Sequence, residues 1–340
     1  MQIHKLTTTN AFIITDLDGA SQAAGIVRVA PKVLQGSAQA FARTATYTFA
    51  LRELQVGGAS AGISAEAEAR DEAVAAFVAE VKARVDAGEL VLDPGTGVTA
   101  DDLADLAASD PRSPVRNEEV DGLSLQHHLE AIGPVIAAEA ALGGLDGHTA
   151  AIEANPVAGR LVAELVARGA TVVAFGNAKG AALDPNGLDA DTLVEAGASA
   201  LDSLTSEPED ASALFGAEAS VLFCGSRQGM IDGEAAEATG AGLVVPTGCQ
   251  PVSAKGLAVL RRRGIVALAD FISTSGPTYA GWPAGEATID AVLADATSGI
   301  TEAVRRSLDH DEGPLLGACY RAEAFLSTWQ EALPFGRPLA

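Results

Sequence analysis

Apolar runs and polar interruptions alternate along this chain in two different rhythms. Near the N-terminus, "AFIITD" is a short continuous apolar run, and "AAGIVRVAP" is a second one stopped by Pro31. Both predict short buried strands. "LQGSAQAFARTATYTFALREL" has helical spacing and offers Phe41, Tyr47, Phe49 and Leu51 for burial. "EAEARDEAVAAFVAEVKARVDAGEL" predicts a helix: it is alanine-rich, acidic at its start, carries Val74, Phe77, Val81 and Val85 on one face, and stops at Gly88. "LVLDPGTGVTADDLADLAA" predicts a strand, a tight turn and a helix capped by Thr99, with Asp101 and Asp102 in its first turn. The polar, proline-containing "SDPRSPVRNEEVDG" predicts a loop and the boundary between two domains.

From about Leu123 the rhythm changes. "LSLQHHLEAIGPVIAAEAALGG" predicts a helix despite Pro134. Five apolar runs follow: "HTAAIEA", "ATVVAFGNA", "ASVLFCG", "AGLVVPTG" and "IVALADFI". Helical segments such as "NPVAGRLVAELVARG" and "SAKGLAVLRRRG" separate them. Strands joined by crossover helices predict a parallel sheet covered by helices on both faces. The tail "ACYRAEAFLSTWQEAL" is helical in pattern. With 340 residues, 48% of them hydrophobic, the chain is long enough for two such α/β domains.

Between the two predicted halves of the first domain lies Val56–Ile63, "VGGASAGI". It reads either as a glycine-rich bend between strand and helix or as backbone that approaches another backbone or a small ligand. The formal net charge is −23, with 45 acidic against 22 basic residues, so nucleic acid and anionic membrane are excluded as expected partners. The lysines are Lys5, Lys32, Lys82, Lys179 and Lys255. Scarce lysine beside abundant Asp, Glu and Ala fits a high-salt cytoplasm, or equally a GC-rich genome. Cys224, Cys249 and Cys319 form an odd, widely spaced set without a CxxC pair, which argues against a disulfide framework and a zinc site. No uninterrupted apolar run reaches membrane-spanning length, and the N-terminus lacks a leader pattern, so a soluble cytoplasmic protein is expected.

Six blocks, in order, resemble the Glu/Leu/Phe/Val amino-acid dehydrogenase family. "AAGIVRVAPKV", "TYTFALRELQVGGASAGI", "LDPGTGVTADDL", "TVVAFGNAKGAALDPNGLD", "SVLFCGSRQGMID" and "VVPTGCQPVSAKGLAVLRRRGIVALADFISTSG" carry the likeness. The resemblance implies an N-terminal α/β substrate and dimerisation domain over residues 1–120 and a Rossmann-like, doubly wound domain over 121–315. It also implies a last helix, 316–340, that packs back on the first domain. A homo-oligomer, at least a dimer, and NAD or NADP as cofactor are further implications.

The positions that would carry the chemistry depart from the family's pattern. The family's two functional lysines, one for the substrate carboxylate and one for proton handling, align with Thr48 and Ser60. A hydroxyl supplies neither the charge nor the basicity of an ammonium. A further substrate-side lysine of the family falls near Ala23, where Arg28 is the nearest surviving cation, and Gly57 and Gly58 lie beside Ser60 on the substrate side. The catalytic carboxylate persists as Asp93 in "DPGT", where it is expected to cap the turn through backbone N–H groups. A dinucleotide turn wants GxGxxG, and the aligned residues are Ala154-Asn155-Pro156-Val157-Ala158-Gly159. Only Gly159, the helix–strand packing position, remains. Asn155-Pro156 reads as the N-cap and first residue of a helix. Asn177 stands where a ribose-binding acid is expected, and Ser275 falls in the segment that matches "NAGG".

Other candidates are weaker. Adjacent His127 and His128 point about 100° apart on a helix and suit a partly buried or surface pair better than one metal ion. Arg261 to Arg263 suit a helix C-terminus. Arg227, in the turn after the third strand, could recognise a carboxylate or phosphate. Two functions of different class follow. One is a diverged homologue without standard oxidative deamination activity, with a small-metabolite-binding or regulatory role. The alternative is an active NAD(P)-dependent amino-acid oxidoreductase with a non-standard site.

Overall fold

The structure, a computed structural model, describes residues 1–340. The chain divides into two units: Met1–Arg112 with Cys319–Pro338, and Ser113–Ala318 with Leu339–Ala340.

The first unit is built on five strands, β1 (Gln2–Lys5), β2 (Ala11–Thr15), β3 (Ala23–Ala30), β4 (Gly57–Ser64) and β5 (Leu90–Pro94), in the order β1-β2-β4-β3-β5. β3 runs parallel to β4 and β5, while β2 is antiparallel to β1 and β4. The helix Gln35–Leu51 connects β3 to β4, and the helix Arg70–Asp86 connects β4 to β5. The first crossover moves one way along the sheet and the second moves back, so right-handed connections put the two helices on opposite faces. Packing agrees. Ala59, Ala61 and Ile63 of β4 share a core with Val74, Phe77, Val81 and Val85, whereas Phe12 and Ile14 of β2 pack with Ala38 and Ala42.

The glycine-rich stretch is therefore not a bend. It is the buried central strand β4, and its glycines let a helix lie directly on the sheet. A Cβ on Gly58 would come 1.8 Å from the carbonyl oxygen of Ala42, and the Gly58 N–H instead donates to Thr46 Oγ1 at 2.9 Å. A strand made of Gly, Ala and Ser shows no hydrophobic alternation, so its period was hidden in the sequence.

The second unit begins with a short hairpin, β6 (Glu119–Val120) and β7 (Leu123–Ser124), whose Ser124 caps the helix Leu125–Leu142. Its main sheet has the order β10-β9-β8-β11-β12-β13, from β8 (Thr149–Glu153), β9 (Thr171–Asn177), β10 (Gly180–Leu183), β11 (Val221–Cys224), β12 (Leu243–Pro246) and β13 (Val266–Ala267). β10 is an antiparallel edge strand on β9, and the other pairings are parallel. The order reverses between β8 and β11, which makes that pair the switch point of a Rossmann-like sheet.

Beyond the unexpected short strands β1, β6, β7 and β10, two further elements differ from expectation. The predicted fifth strand shrinks to Val266–Ala267, because Asp270–Ser273 turns into a helical segment. There Asp270 accepts from the Gln250 N–H at 2.7 Å, and the Ser273 hydroxyl donates to the Pro246 carbonyl at 2.6 Å. The 20-residue helix Ile289–Leu308, to which the sequence reading assigns no element, buries Val292, Ala296, Ile300 and Val304 at four-residue spacing. No helix is long and apolar enough to cross a membrane.

Candidate active site

Strand register brings the aligned positions of the first unit together. Ile14 of β2, Ser60 of β4, Ile26 of β3 and Asp93 of β5 are successive cross-strand partners. Such partners project from one face of a sheet, so Ser60 and Asp93 share a face, two strands and about 10 Å apart. By the two-residue period it is also the face of Gly58, against which the helix Gln35–Leu51 lies.

Ser60 is fully buried, and its Oγ has no hydrogen-bond partner. Thr48, on the helix, is buried too, and its hydroxyl donates back to the Thr44 carbonyl at 3.0 Å. Gly57 opens β4, where its N–H donates to the Gln22 carbonyl at 2.9 Å. Arg28, on the same face of β3 as Ile26, donates to Ser37 Oγ at 3.0 Å and stacks 4.3 Å above the ring of Phe41. A further buried pair closes the face: Arg43 forks onto both oxygens of Asp16 at 2.7 and 2.8 Å, and also donates to the carbonyls of Phe335 and Gly336.

Asp93 is held by a residue the sequence reading missed. Arg112 donates from Nη1 to one carboxylate oxygen at 2.6 Å and from Nη2 to the other at 2.7 Å. The same guanidinium reaches Asp110 through Nε at 3.0 Å and Nη2 at 2.7 Å. Arg112 is only 8% exposed. Burial works against its charge, but the hydrogen bonds to Asp110 and Asp93 outweigh that and push its pKa above the ordinary arginine value. The expected turn-capping by Asp93 is replaced by this fork onto Arg112, and the Gly95 N–H of the turn donates to the Val27 carbonyl at 2.8 Å. The only sequence signal was "DPR", a carboxylate and an arginine two residues apart in the boundary loop.

In the second unit the strand ends at the switch point are also tied internally. Glu153, the last residue of β8, accepts from the Gly225 N–H at 2.8 Å, the Ser226 N–H at 3.0 Å and the Ser226 hydroxyl at 2.5 Å. Asn155 does not cap the following helix. Its Oδ1 accepts from the Val157 N–H at 3.0 Å, Pro156 sits exposed in the turn, and the helix runs Ala158–Ala167. Gly159 serves helix–helix rather than helix–strand packing, since a Cβ there would lie 2.6 Å from the Val194 carbonyl of the next helix. Asn177 closes the β9–β10 hairpin by accepting from the Lys179 N–H at 2.8 Å. The Ser275 hydroxyl donates to the Ile272 carbonyl at 2.7 Å. Arg227 is exposed on the loop after β11 and helps hold the Asp232 carboxyl below its usual range, behind the larger effect of the Ala235 and Glu234 N–H groups.

The remaining candidates are accounted for locally. His127 Nδ1 lies 2.9 Å from the capping Ser124 hydroxyl. His128 is buried, and burial, aided by Arg160, lowers its pKa. Burial and the nearby Glu153 push the Cys224 thiol up, so it stays protonated. Arg261 donates to the Asp311 and Glu312 carbonyls, Arg262 pairs with Glu237, and Arg263 donates to the Ala236 and Thr239 carbonyls.

Several solved structures share this fold. A hetero-hexameric glutamate dehydrogenase from Thermus thermophilus, in a Leu-bound form, matches with a TM-score of 0.78 at 20% identity, covering 95% of this chain and 86% of that one. The glutamate dehydrogenase of Plasmodium falciparum matches at 0.74 and 15% identity, covering 94% and 79%. L-tryptophan dehydrogenase from Nostoc punctiforme matches at 0.66 and 14% identity, covering 96% of each chain. No curated protein matches by sequence. The family model for Glutamate/Leucine/Phenylalanine/Valine dehydrogenase matches residues 122–280. Over that segment the chain matches the Glu/Leu/Phe/Val dehydrogenase family.

Proposed function

We propose that this protein does not carry out NAD(P)-dependent oxidative deamination and instead binds a small metabolite in a regulatory role within an oligomer. The observation that carries the reading is the environment of Asp93. A catalytic carboxylate must take up and return a proton during turnover. Both oxygens of Asp93 are engaged by Arg112, a group that does not deprotonate in proteins. The two positions that resemblance assigns to lysines carry hydroxyls, one orphaned and one turned back onto its own helix. A regulatory role is supported by the Thermus relative, whose assembly is hetero-hexameric and whose structure holds Leu. An amino acid or similar small metabolite is the ligand class this suggests, and a homo-oligomer or mixed oligomer is the setting.

The second reading, an active NAD(P)-dependent oxidoreductase on amino or keto acids, draws support from the family match over residues 122–280. In that reading Arg28 and Arg112 supply the cationic environment on the sheet face. Titration of the full-length protein with NAD and NADP separates the two, followed by nicotinamide absorbance with a panel of amino acids, or keto acids plus ammonium. The proposal expects no turnover. Saturable nucleotide binding accompanied by turnover would sink it.

A further inference from the structure

Open parallel sheets bind ligands outside the carboxyl ends of their strands, at the point where strand order reverses. In the second unit that point is the junction of β8 and β11, and Glu153 spans it. One oxygen receives the successive N–H groups of Gly225 and Ser226, and the other receives the Ser226 hydroxyl. Two consecutive backbone N–H groups aimed at one oxygen make a concavity suited to an anion. The chain fills it with its own carboxylate, which is 9% exposed.

A nicotinamide dinucleotide would bring a pyrophosphate to these strand ends. The residues do not fit that group. The donors after β11 are occupied, the occupant is itself negative, and Pro156 removes an N–H from the turn after β8. Asn177, at the end of β9, spends its side-chain oxygen on the Lys179 N–H.

We propose that Glu153 is an internal stand-in for a phosphate group, a specificity-determining residue that closes the switch-point crevice to phosphorylated ligands. Removing its carboxylate uncovers an anion site made of the Gly225 and Ser226 N–H groups and the Ser226 hydroxyl. The inference rests on the functional reading above only for the wild-type chain's failure to bind dinucleotide; the uncovered anion site is a separate claim.

The test compares full-length wild type, Glu153→Ala and Glu153→Gln at constant ionic strength. Titration calorimetry reads the binding of inorganic pyrophosphate and of NAD, and thermal melting reads rescue by pyrophosphate. Glu153→Ala should melt lower than wild type, recover in a saturable manner as pyrophosphate is added, and bind it at least about tenfold more tightly than wild type does. Glu153→Gln keeps an acceptor but drops the charge, and should bind pyrophosphate with intermediate affinity. Where the alanine variant does not fold, the glutamine variant decides. Variants that bind pyrophosphate no better than wild type would reduce Glu153 to a structural tie and leave the functional reading intact. Wild type that binds NAD saturably would overturn both.

Discussion

Replacing Ser60 by alanine is expected to stabilise the protein. Its side chain is fully buried in β4 between Ile14 and Ile26, with no hydrogen-bond partner for Oγ. A buried hydroxyl left unsatisfied costs about 1–3 kcal/mol, since it gives up its hydrogen bonds to water and receives nothing in return. Alanine removes that penalty and leaves a gap of one oxygen, roughly 15 Å³, worth about 0.4 kcal/mol at about 24 cal/mol per Å³ of cavity. The balance is a gain of roughly 1–2 kcal/mol. Equilibrium urea denaturation should show a midpoint raised by about 0.5 M with an unchanged slope. Ser64, in the same strand, supplies the contrast: its Oγ accepts from the Val33 N–H at 3.1 Å, so Ser64→Ala should lower the midpoint, by about 1 kcal/mol in stability. A Ser60→Ala variant less stable than wild type would mean that Oγ has a partner, and would reopen Ser60 as a ligand-binding or catalytic group.

Arg112→Met should cost about 3–5 kcal/mol in the same assay, because it leaves Asp93 and Asp110 without their shared cation. Adding Asp93→Asn to that variant should recover part of the loss, and a double-mutant cycle without coupling would contradict the pairing. For acid stability the group to follow is Glu80. The hydroxyl and N–H of Thr8, and then the N–H of Thr7, hold its pKa down to about 2 from an ordinary 4.5. A lowered folded-state pKa gives stability that is present above the unfolded value and disappears as pH falls through the folded one. The melting temperatures of wild type and Glu80→Gln should therefore differ at neutral pH and converge between about pH 4.5 and 2. A difference that persists below that window would refute the assignment.

The parts of the fold that were legible in the sequence are those with large side chains at regular spacing. The helix Arg70–Asp86 and the strands β9, β11 and β12 announce themselves through Val, Leu and Phe. β4 did not, because Gly58 is there to let the Ala42 carbonyl approach, and a strand chosen for thinness carries no apolar alternation. The helix Ile289–Leu308 was readable, with Thr288 as its cap and Val292, Ala296, Ile300 and Val304 on its buried face, but alanine and threonine dilute that stripe. On the functional side, the alignment placed Ser60 and Asp93, and the strand register puts them in one row. What the alignment could not give was the occupant of each charge. Arg112 lies 19 positions from Asp93, and Glu153 lies 72 positions from Gly225. Spacings of that size carry no local pattern.

Those occupants bear on function more than the missing lysines do. An enzyme keeps donors and charges aimed at the place where the reacting group will sit, and leaves them to be satisfied by substrate and transition state. In a chain of net charge −23 a carboxylate drawn into the fold needs a local partner, and buried Asp16 and Glu153 and half-buried Asp93 each have one that belongs to the fold. Asp16 has Arg43, Asp93 has Arg112, and Glu153 has the loop after β11. For a ligand to use any of these groups it must first break two or three good hydrogen bonds, so their arrangement favours rigidity, which supports the proposed loss of turnover. Ser60 is the contrast, an orphaned hydroxyl in the row that leads to Asp93. A lysine lost from that position would leave such a remnant: a polar atom too deep for water and too short to reach the carboxylate two strands away, carried at a cost that alanine would remove.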